Sequence, residues 1–196
     1  MPDLFERLEE MRDVIDVLNG DVERLRPRLG PRSIQDEASD DEKTNRRSYV
    51  RAIFALIEAV VEQHKRLLLD LSEQGVVQLG PGVRESLLER TYSVKDNGSI
   101  GEKEQYLPLQ RKLRAVYRAA AEVFGQPLEL DFAGGGWRAF CTALDVRDRI
   151  THPKTFVFCQ VEDDELGTID CGHEWFRDVN QRLVGVAERH RQAHGW

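Results

Sequence analysis

The chain has 196 residues, of which 40% are hydrophobic and 32% are charged, and its formal net charge at pH 7 is −7. Such a length can bury the core of a single domain, and this balance of apolar and charged residues excludes a disordered chain. The acidic balance argues against a protein that coats long nucleic acids by neutralising phosphates, although it allows a small local site for RNA.

The cysteines and the hydropathy of the chain bear on its compartment. Cys141, Cys159 and Cys171 are an odd number of cysteines, which favours reduced thiols over a disulfide framework. No stretch approaches the ~18 apolar residues of a membrane-spanning helix. The N-terminus, Met-Pro-Asp-Leu-Phe-Glu, lacks the basic and apolar regions of a secretory signal. We therefore expect a cytoplasmic protein without a membrane anchor.

The first predicted element is an N-terminal amphipathic helix. Its apolar residues recur alternately four and three positions apart, and they are Leu4, Leu8, Met11, Ile15, Leu18, Val22 and Leu25. Such a seam either pairs with a second copy or a partner helix, or packs on its own domain. The short repeat favours packing on its own domain. Residues 26–41 are rich in Pro, Gly, Ser and acids and predict a linker. The predicted domains are therefore residues 1–40, a heptad-patterned helix with its linker, and residues 41–196, a helical domain.

Four substantial helices are predicted after the linker from apolar periodicity and from glycine and proline breakers. They span residues 41–73, 104–124, 137–152 and 174–193, with a shorter helical piece at 83–90 and a polar loop at 95–99. Residues 155–161 are β-rich and predict a short strand or an extended strap. The expected fold is all-α, an antiparallel bundle of four to five helices with the N-terminal amphipathic helix and one short extended segment.

Three other patterns could carry chemistry, and each is incomplete. The triple glycine at 134–136 lacks both a preceding strand and a following Gly-Lys-Ser/Thr, so it predicts a flexible helix entry rather than a phosphate loop. His190 and His194 could share one helix face and bind a metal, but they lack a third ligand. A second group, Cys159, Cys171 and His173, is one ligand short of a structural zinc site. We expect no metal and no cofactor.

The segment Arg-Asp-Arg-Ile-Thr-His at residues 147–152 is different. Arg147 falls in the last turn of a predicted helix, His152 falls just beyond it, and Pro153 must end the helix. An arginine that holds a phosphate and a histidine that moves a proton are what metal-free phosphodiester cleavage requires. Near this segment the sequence has no carboxylate cluster suited to magnesium and no cysteine pair. A simpler alternative is that both basic groups cap the end of the helix.

Arg147, the polar Asp148, three further residues and then His152 resemble the R-x4-6-H motif of the HEPN superfamily, in its Arg-polar-x-x-x-His form. The flanking Leu-Asp-Val before the motif and Pro-Lys after it are similar to many such domains. Residues 46–58 are similar to an early bundle helix of these proteins, so the resemblance extends over about residues 44–193. It implies a helical bundle that commonly pairs, so that two motifs form one composite site.

The resemblance also implies roles for individual residues. His152 would act as general acid or base, and Arg147 would hold the phosphate while a 2′-hydroxyl attacks it without a metal ion. Asp148 would either orient the histidine or the arginine, or be an exposed acid that pairs with Arg149 or Lys154. Further candidates for contact with the substrate are Arg46, Arg47, Arg149, Lys154 and Glu58. Of these, Arg46 and Arg47 could equally be surface charges. Glu58, which lies in an apolar run, is either buried with a partner or functional.

Two hypotheses follow. The first is a homodimeric, metal-independent endoribonuclease of the toxin–antitoxin or phage-defence type, with RNA as substrate and an antitoxin or other protein as a possible partner. The second is a non-catalytic helical module that dimerises or binds a partner through Leu4–Leu25. The acidic charge and the heptad seam favour the second hypothesis, and the intact Arg-Asp-x-x-x-His favours the first.

Overall fold

The computed structural model describes residues 4–26, 39–125 and 130–194. These residues form six α-helices, one two-stranded antiparallel sheet and a 3₁₀ helix. In chain order the elements are α1 Leu4–Leu25, α2 Asp40–Glu73, α3 Pro81–Leu87, β1 Arg90–Val94, β2 Ile100–Glu104, α4 Leu109–Val123, α5 Gly135–Thr151, the 3₁₀ helix Phe156–Cys159 and α6 Asp163–His194. The prediction of a mainly helical chain is confirmed. Throughout the described ranges, no helix has an apolar stretch long enough to cross a lipid bilayer.

The chain divides into two compact units. Unit 1 comprises the described residues of Met1–Val60 and Leu130–Asn180, and unit 2 comprises those of Val61–Glu129 and Gln181–Trp196. Because α2 and α6 are long, each contributes residues to both units. The linker that the sequence predicts falls mainly on residues 27–38, which lie outside the described residues, and the predicted domain boundary after residue 40 stays a prediction.

Helix α1 carries the heptad seam in unit 1. Val22 is buried, whereas four seam residues before it keep part of their surface exposed; they are Leu8, Met11, Ile15 and Leu18. At the C-terminal end, Arg26 lies 3.9 Å from the carboxylate of Glu174 on α6. Within its described length, the seam therefore packs fully only at Val22, and Leu25 after it is again partly exposed.

An aromatic cluster forms the centre of unit 1. Trp137 stacks on Phe140 within α5, with ring centroids 5.3 Å apart, and Trp175 of α6 packs against these two rings at 5.2 and 5.5 Å. Phe54 of α2 lies 6.1 Å from the ring of Phe140. Large buried rings of this kind dominate core energetics. The cluster therefore joins α2, α5 and α6 and determines how α5 is held.

Helices α5 and α6 approach each other closely at Gly172. A Cβ atom at this position would lie 2.8 Å from the backbone N and Cα of Phe140. Such a distance is far inside van der Waals contact, and backbone atoms cannot move aside as a side chain can. The crossing of α5 and α6 therefore requires glycine at residue 172.

In unit 2, the β1–β2 hairpin pairs Tyr92 with Glu102 and Val94 with Ile100. Glu89 lies at the base of this hairpin, directly before β1, and its own backbone is in the left-handed region, with φ 55°. Its carboxylate accepts from the ammonium groups of Lys65 at 3.0 Å and Lys112 at 2.7 Å. Burial alone would raise the pKa of Glu89, but the hydrogen bonds of the two lysines outweigh it and lower that pKa. The carboxylate therefore stays charged and ties the hairpin to α2 and α4.

Three predicted elements differ from the structure. The helix predicted from residue 104 begins only at residue 109, because residue 104 ends the strand β2. The predicted polar loop at residues 95–99 forms the turn between β1 and β2. The predicted extended segment forms the 3₁₀ helix Phe156–Cys159 instead of a strand. Helix α6 begins at Asp163 rather than at residue 174, because three acids in its first turn suit the positive end of the helix dipole. Gly167 and Gly172, which both precede residue 174, obscure this beginning in the sequence.

Candidate functional site

The C-terminal end of α5 carries the motif. Pro153 stops the helix, and His152 becomes its C-cap residue with φ −124° and ψ 61°. The backbone N–H of His152 donates to the carbonyl of Asp148 at 3.0 Å, and the hydroxyl of Thr151 donates to the carbonyl of Arg147 at 2.7 Å. These bonds hold the backbone of His152. Its imidazole is exposed and has no hydrogen bond or ion pair to any residue that the structure describes.

Arg147 is held between two carboxylates. One Nη atom donates to Asp148 at 2.7 Å, and the other forms an ion pair with Glu58 of α2. The guanidinium also lies 6.0 Å from the centre of the Phe54 ring, at the limit of a cation–π contact. About a quarter of the side chain, 26%, is exposed. The predicted motif arginine and Glu58 therefore meet, and Glu58 is a half-exposed partner of Arg147.

Arg147 stays positively charged, and its two ion-pair partners are carboxylates. Burial lowers the pKa of Arg147. The hydrogen bond to Asp148 and the charges of Glu58 and Asp148 raise that pKa by more than burial lowers it, so the net shift is upward. The guanidinium is therefore a permanent cation with a fixed orientation. A phosphate that binds Arg147 must compete with two carboxylates, and this competition limits its affinity.

The other predicted arginines contact the segment between α5 and α6, residues 153–162, which we name the strap. Arg149 binds both carboxylate oxygens of Glu165, at 2.7 and 2.8 Å, and donates to the carbonyl of Val157 at 3.4 Å. Arg47 donates to the carbonyl of Cys159 at 3.3 Å. These guanidinium groups hold the strap through its backbone carbonyls, and their predicted contact with substrate stays a prediction.

Arg46 lies deeper in the molecule than Arg47. It is only 5% exposed, donates to the carbonyl of Val161 at 2.7 Å and forms an ion pair with Asp163. Lys154, in contrast, is an exposed residue of the strap. Of the predicted substrate-binding cations, Lys154 is thus the most accessible and Arg46 the least.

Arg51 is a further cation at this end of α5, and the motif does not include it. It donates to the carbonyl of Ile150 at 3.0 Å, two residues before His152, and its side chain is exposed. Its spacing of four residues after Arg47 and seven before Glu58 places all three on one face of α2. The sequence could have identified Arg51 as a candidate by this spacing.

Among the histidines and cysteines considered as metal ligands, those that the structure describes do not converge on one site. Within the described ranges, no group of three or more His, Cys, Asp and Glu side chains could hold a metal ion. His173 is buried, and burial, followed by the charges of Arg177 and Arg26, lowers its pKa to about 4. His190 packs on the ring of Phe124 at 5.3 Å, and the side chain of His194 lies outside the described residues.

Comparison of the chain with protein-family models, with curated proteins and with solved structures found no significant match. The function must therefore be inferred from the residues at the end of α5. There, one oriented cation and one exposed imidazole lie on consecutive turns, as the spacing in the sequence predicts.

Proposed function

We propose that this chain is a HEPN-like endoribonuclease that cleaves RNA without a metal ion, in a composite site made by two copies of an antiparallel helical bundle. The observation that carries the proposal is the pairing of an oriented, permanently charged Arg147 with an exposed His152 one turn further along. Phosphodiester cleavage by an adjacent hydroxyl needs one cation for the phosphate and proton transfer at two oxygens, and these residue types supply both.

The reaction uses the 2′-hydroxyl of the RNA as nucleophile. One His152 accepts the 2′ proton while the 2′-oxygen forms a bond to phosphorus. The bond from phosphorus to the 5′-oxygen breaks, and His152 of the second copy gives its proton to that leaving oxygen. The products are a 2′,3′-cyclic phosphate and a 5′-hydroxyl. Arg147 binds the non-bridging oxygens, whose charge grows in the transition state, and Asp148 orients Arg147.

The test of this proposal is cleavage of single-stranded RNA by the purified chain in excess EDTA. We expect cleavage that leaves 2′,3′-cyclic phosphate ends. A matched oligonucleotide with 2′-deoxyribose at the cleaved position should resist, because it lacks the nucleophile. Cleavage of the deoxy-substituted bond, or activity that EDTA abolishes, would contradict the proposal.

Glu58 should restrain the binding of RNA. The Glu58→Gln variant keeps the size of the side chain and an oxygen that accepts from Arg147, but it removes one negative charge beside the phosphate position. Because a pair of partly exposed charges is worth ~1 kcal/mol or less, we expect the Kd for a short single-stranded RNA to fall by about three- to fivefold at low salt. Fluorescence anisotropy in a His152→Ala background measures this change without cleavage.

A matched control for this variant lies one turn further along α2. Glu62 pairs with Lys65 and Arg66 instead of Arg147, so Glu62→Gln removes the same charge away from the motif. We expect Glu62→Gln to change the Kd much less than Glu58→Gln does. Equal effects would show that only the net charge matters, and weaker binding by Glu58→Gln would contradict a restraining role.

A role in a toxin–antitoxin pair or in phage defence belongs to the same proposal, with a protein partner that restrains the nuclease. The second candidate function is a non-catalytic module that binds a partner through α1. It is favoured by the partly exposed seam residues Leu8, Met11 and Ile15. The EDTA experiment separates the two candidates, because a binding module leaves every RNA intact.

A further inference from the structure

The strap presents an apolar surface beside the motif. Phe156 is 76% exposed, Val157 67% and Phe158 36%. Large apolar side chains that are exposed together mark an interaction surface more often than isolated ones do. This surface begins four residues after His152, and Arg47 and Arg149 donate to two of its backbone carbonyls.

The strap is also charged in opposite senses at its two ends. Lys154 lies before the apolar residues, while Glu162 and, just past the strap, Asp164 lie after them, and all three side chains are exposed. Their neighbours Arg149, Asp163 and Glu165 are already engaged in ion pairs. Among the described residues, no ion pair involves Lys154, Glu162 or Asp164. This surface therefore has one unpaired cation at one end and two unpaired anions at the other.

We propose that the strap is the self-complementary contact between two copies of this chain. A two-fold axis through its middle sets the two straps antiparallel. Lys154 of each copy then faces Glu162 and Asp164 of the other, and the exposed apolar side chains meet between them. Closed homodimers use such isologous patches, in which each surface supplies both halves of every contact.

Charge decides in favour of a second copy over RNA at this surface. Each chain carries a net charge of −7, so two copies repel each other except where apolar groups meet and opposite charges can pair. A phosphate backbone on the strap would gain Lys154 but would lie against the free acids Glu162 and Asp164. The suggestion that this contact completes the nuclease site rests on the proposed function, whereas the contact itself does not.

The first test is the oligomeric state of the full chain, measured by sedimentation equilibrium without RNA. We expect a dimer of the wild type. The double variant Phe156→Ser with Val157→Ser should raise the dimer dissociation constant by roughly 100-fold, since two central apolar contacts are lost. The control, Tyr92→Ser with Val94→Ser, removes two comparably exposed apolar side chains from the hairpin and should leave the dimer unchanged.

Charge reversal provides the decisive arm of this test. Lys154→Glu alone, and Glu162→Lys with Asp164→Lys alone, should each be monomeric, because like charges then face each other at both ends of the contact. When these two variants are mixed, one end of the contact joins the two reversed sets of charges and the other end joins the two unchanged sets, so opposite charges meet at both ends. We therefore expect the mixture to form a heterodimer. A single chain that carries all three changes also regains opposite charges at both ends and should dimerise like the wild type.

Several outcomes would overturn the proposal. These are a wild type that is monomeric at high micromolar concentration, a dimer that survives Phe156→Ser with Val157→Ser, and a mixture of charge variants that stays monomeric although both have the circular dichroism melting curve of the wild type. A serine variant that remains dimeric but loses RNA binding would assign the surface to RNA instead. A strap-dependent dimer without nuclease activity would contradict only the proposed function.

Discussion

RNA cleavage by the His152→Ala variant is expected to be about 1000-fold slower than cleavage by the wild type. General acid–base catalysis by a positioned side chain contributes typically 10²–10⁴-fold to a rate, and a composite site loses both imidazoles when each copy carries the change. The imidazole is exposed and its backbone is held by the bond to Asp148. Its removal therefore deletes the proton carrier without disturbing the core.

The measurement is the single-turnover rate on the RNA that wild type cleaves, with the enzyme in excess and EDTA present. His190→Ala is the control, because it removes a histidine that packs on Phe124 and has no place in the motif. It should cleave at the wild-type rate. Equal cleavage by the wild type and by both variants would point to a contaminating nuclease and would remove His152 from the mechanism.

Replacement of Gly172 by alanine is expected to lower the free energy of unfolding by about 2 kcal/mol or more, as overpacked sites typically do. Alanine in place of a helical glycine normally stabilises a helix by up to ~1 kcal/mol. Here the new Cβ would lie 2.8 Å from backbone atoms of Phe140, so α5 and α6 must separate where the aromatic cluster joins them. The contact penalty exceeds the gain in helix propensity.

Thermal unfolding followed by circular dichroism measures this effect. For a chain of this size, 1 kcal/mol corresponds to a shift in Tm of about 2–4 °C, so Gly172→Ala should lower the Tm by about 4–8 °C. Gly167 lies on the same helix, and a Cβ atom there would meet no heavy atom within 4 Å beyond its chain neighbours and its own helix backbone. Gly167→Ala should therefore raise the Tm slightly. Shifts of the same sign in both variants would contradict the close crossing.

The long helices could be predicted from the sequence because their signals are local. The apolar stripe of residues 41–73 predicts a helix whose observed bounds are Asp40–Glu73. Pro153 likewise predicts the end of α5, which the structure places at Thr151. In both cases periodicity and a breaker residue agree, and no tertiary contact is needed to decide the element.

The hairpin and the start of α6 escape sequence-based prediction for different physical reasons. The strands β1 and β2 are short and exposed, so their apolar residues do not form a buried pattern, although Asn97-Gly98 is a recognised hairpin turn signal. Gly172 weakens the helical pattern of α6 in the sequence. It is tolerated because α5 passes over it, and that reason exists only in the tertiary structure.

The candidate site shows the same division. The spacing of Arg147 and His152 within one helix end could be read directly, because their proximity is local. The ion pair between Arg147 and Glu58 joins residues 89 positions apart, and the sequence indicated only that a carboxylate in an apolar run needs a partner. The binding of Arg47 and Arg149 to backbone carbonyls could not be predicted, since a carbonyl leaves no trace in the sequence.

The way in which Arg47 and Arg149 hold the strap has an evolutionary consequence. Both guanidinium groups donate to main-chain carbonyls, those of Cys159 and Val157, which every amino acid carries. The path of the strap therefore depends little on which side chains it displays. Mutations in its outward residues can accumulate without refolding the segment, so related chains can acquire different surfaces there while Arg147 and His152 keep their positions.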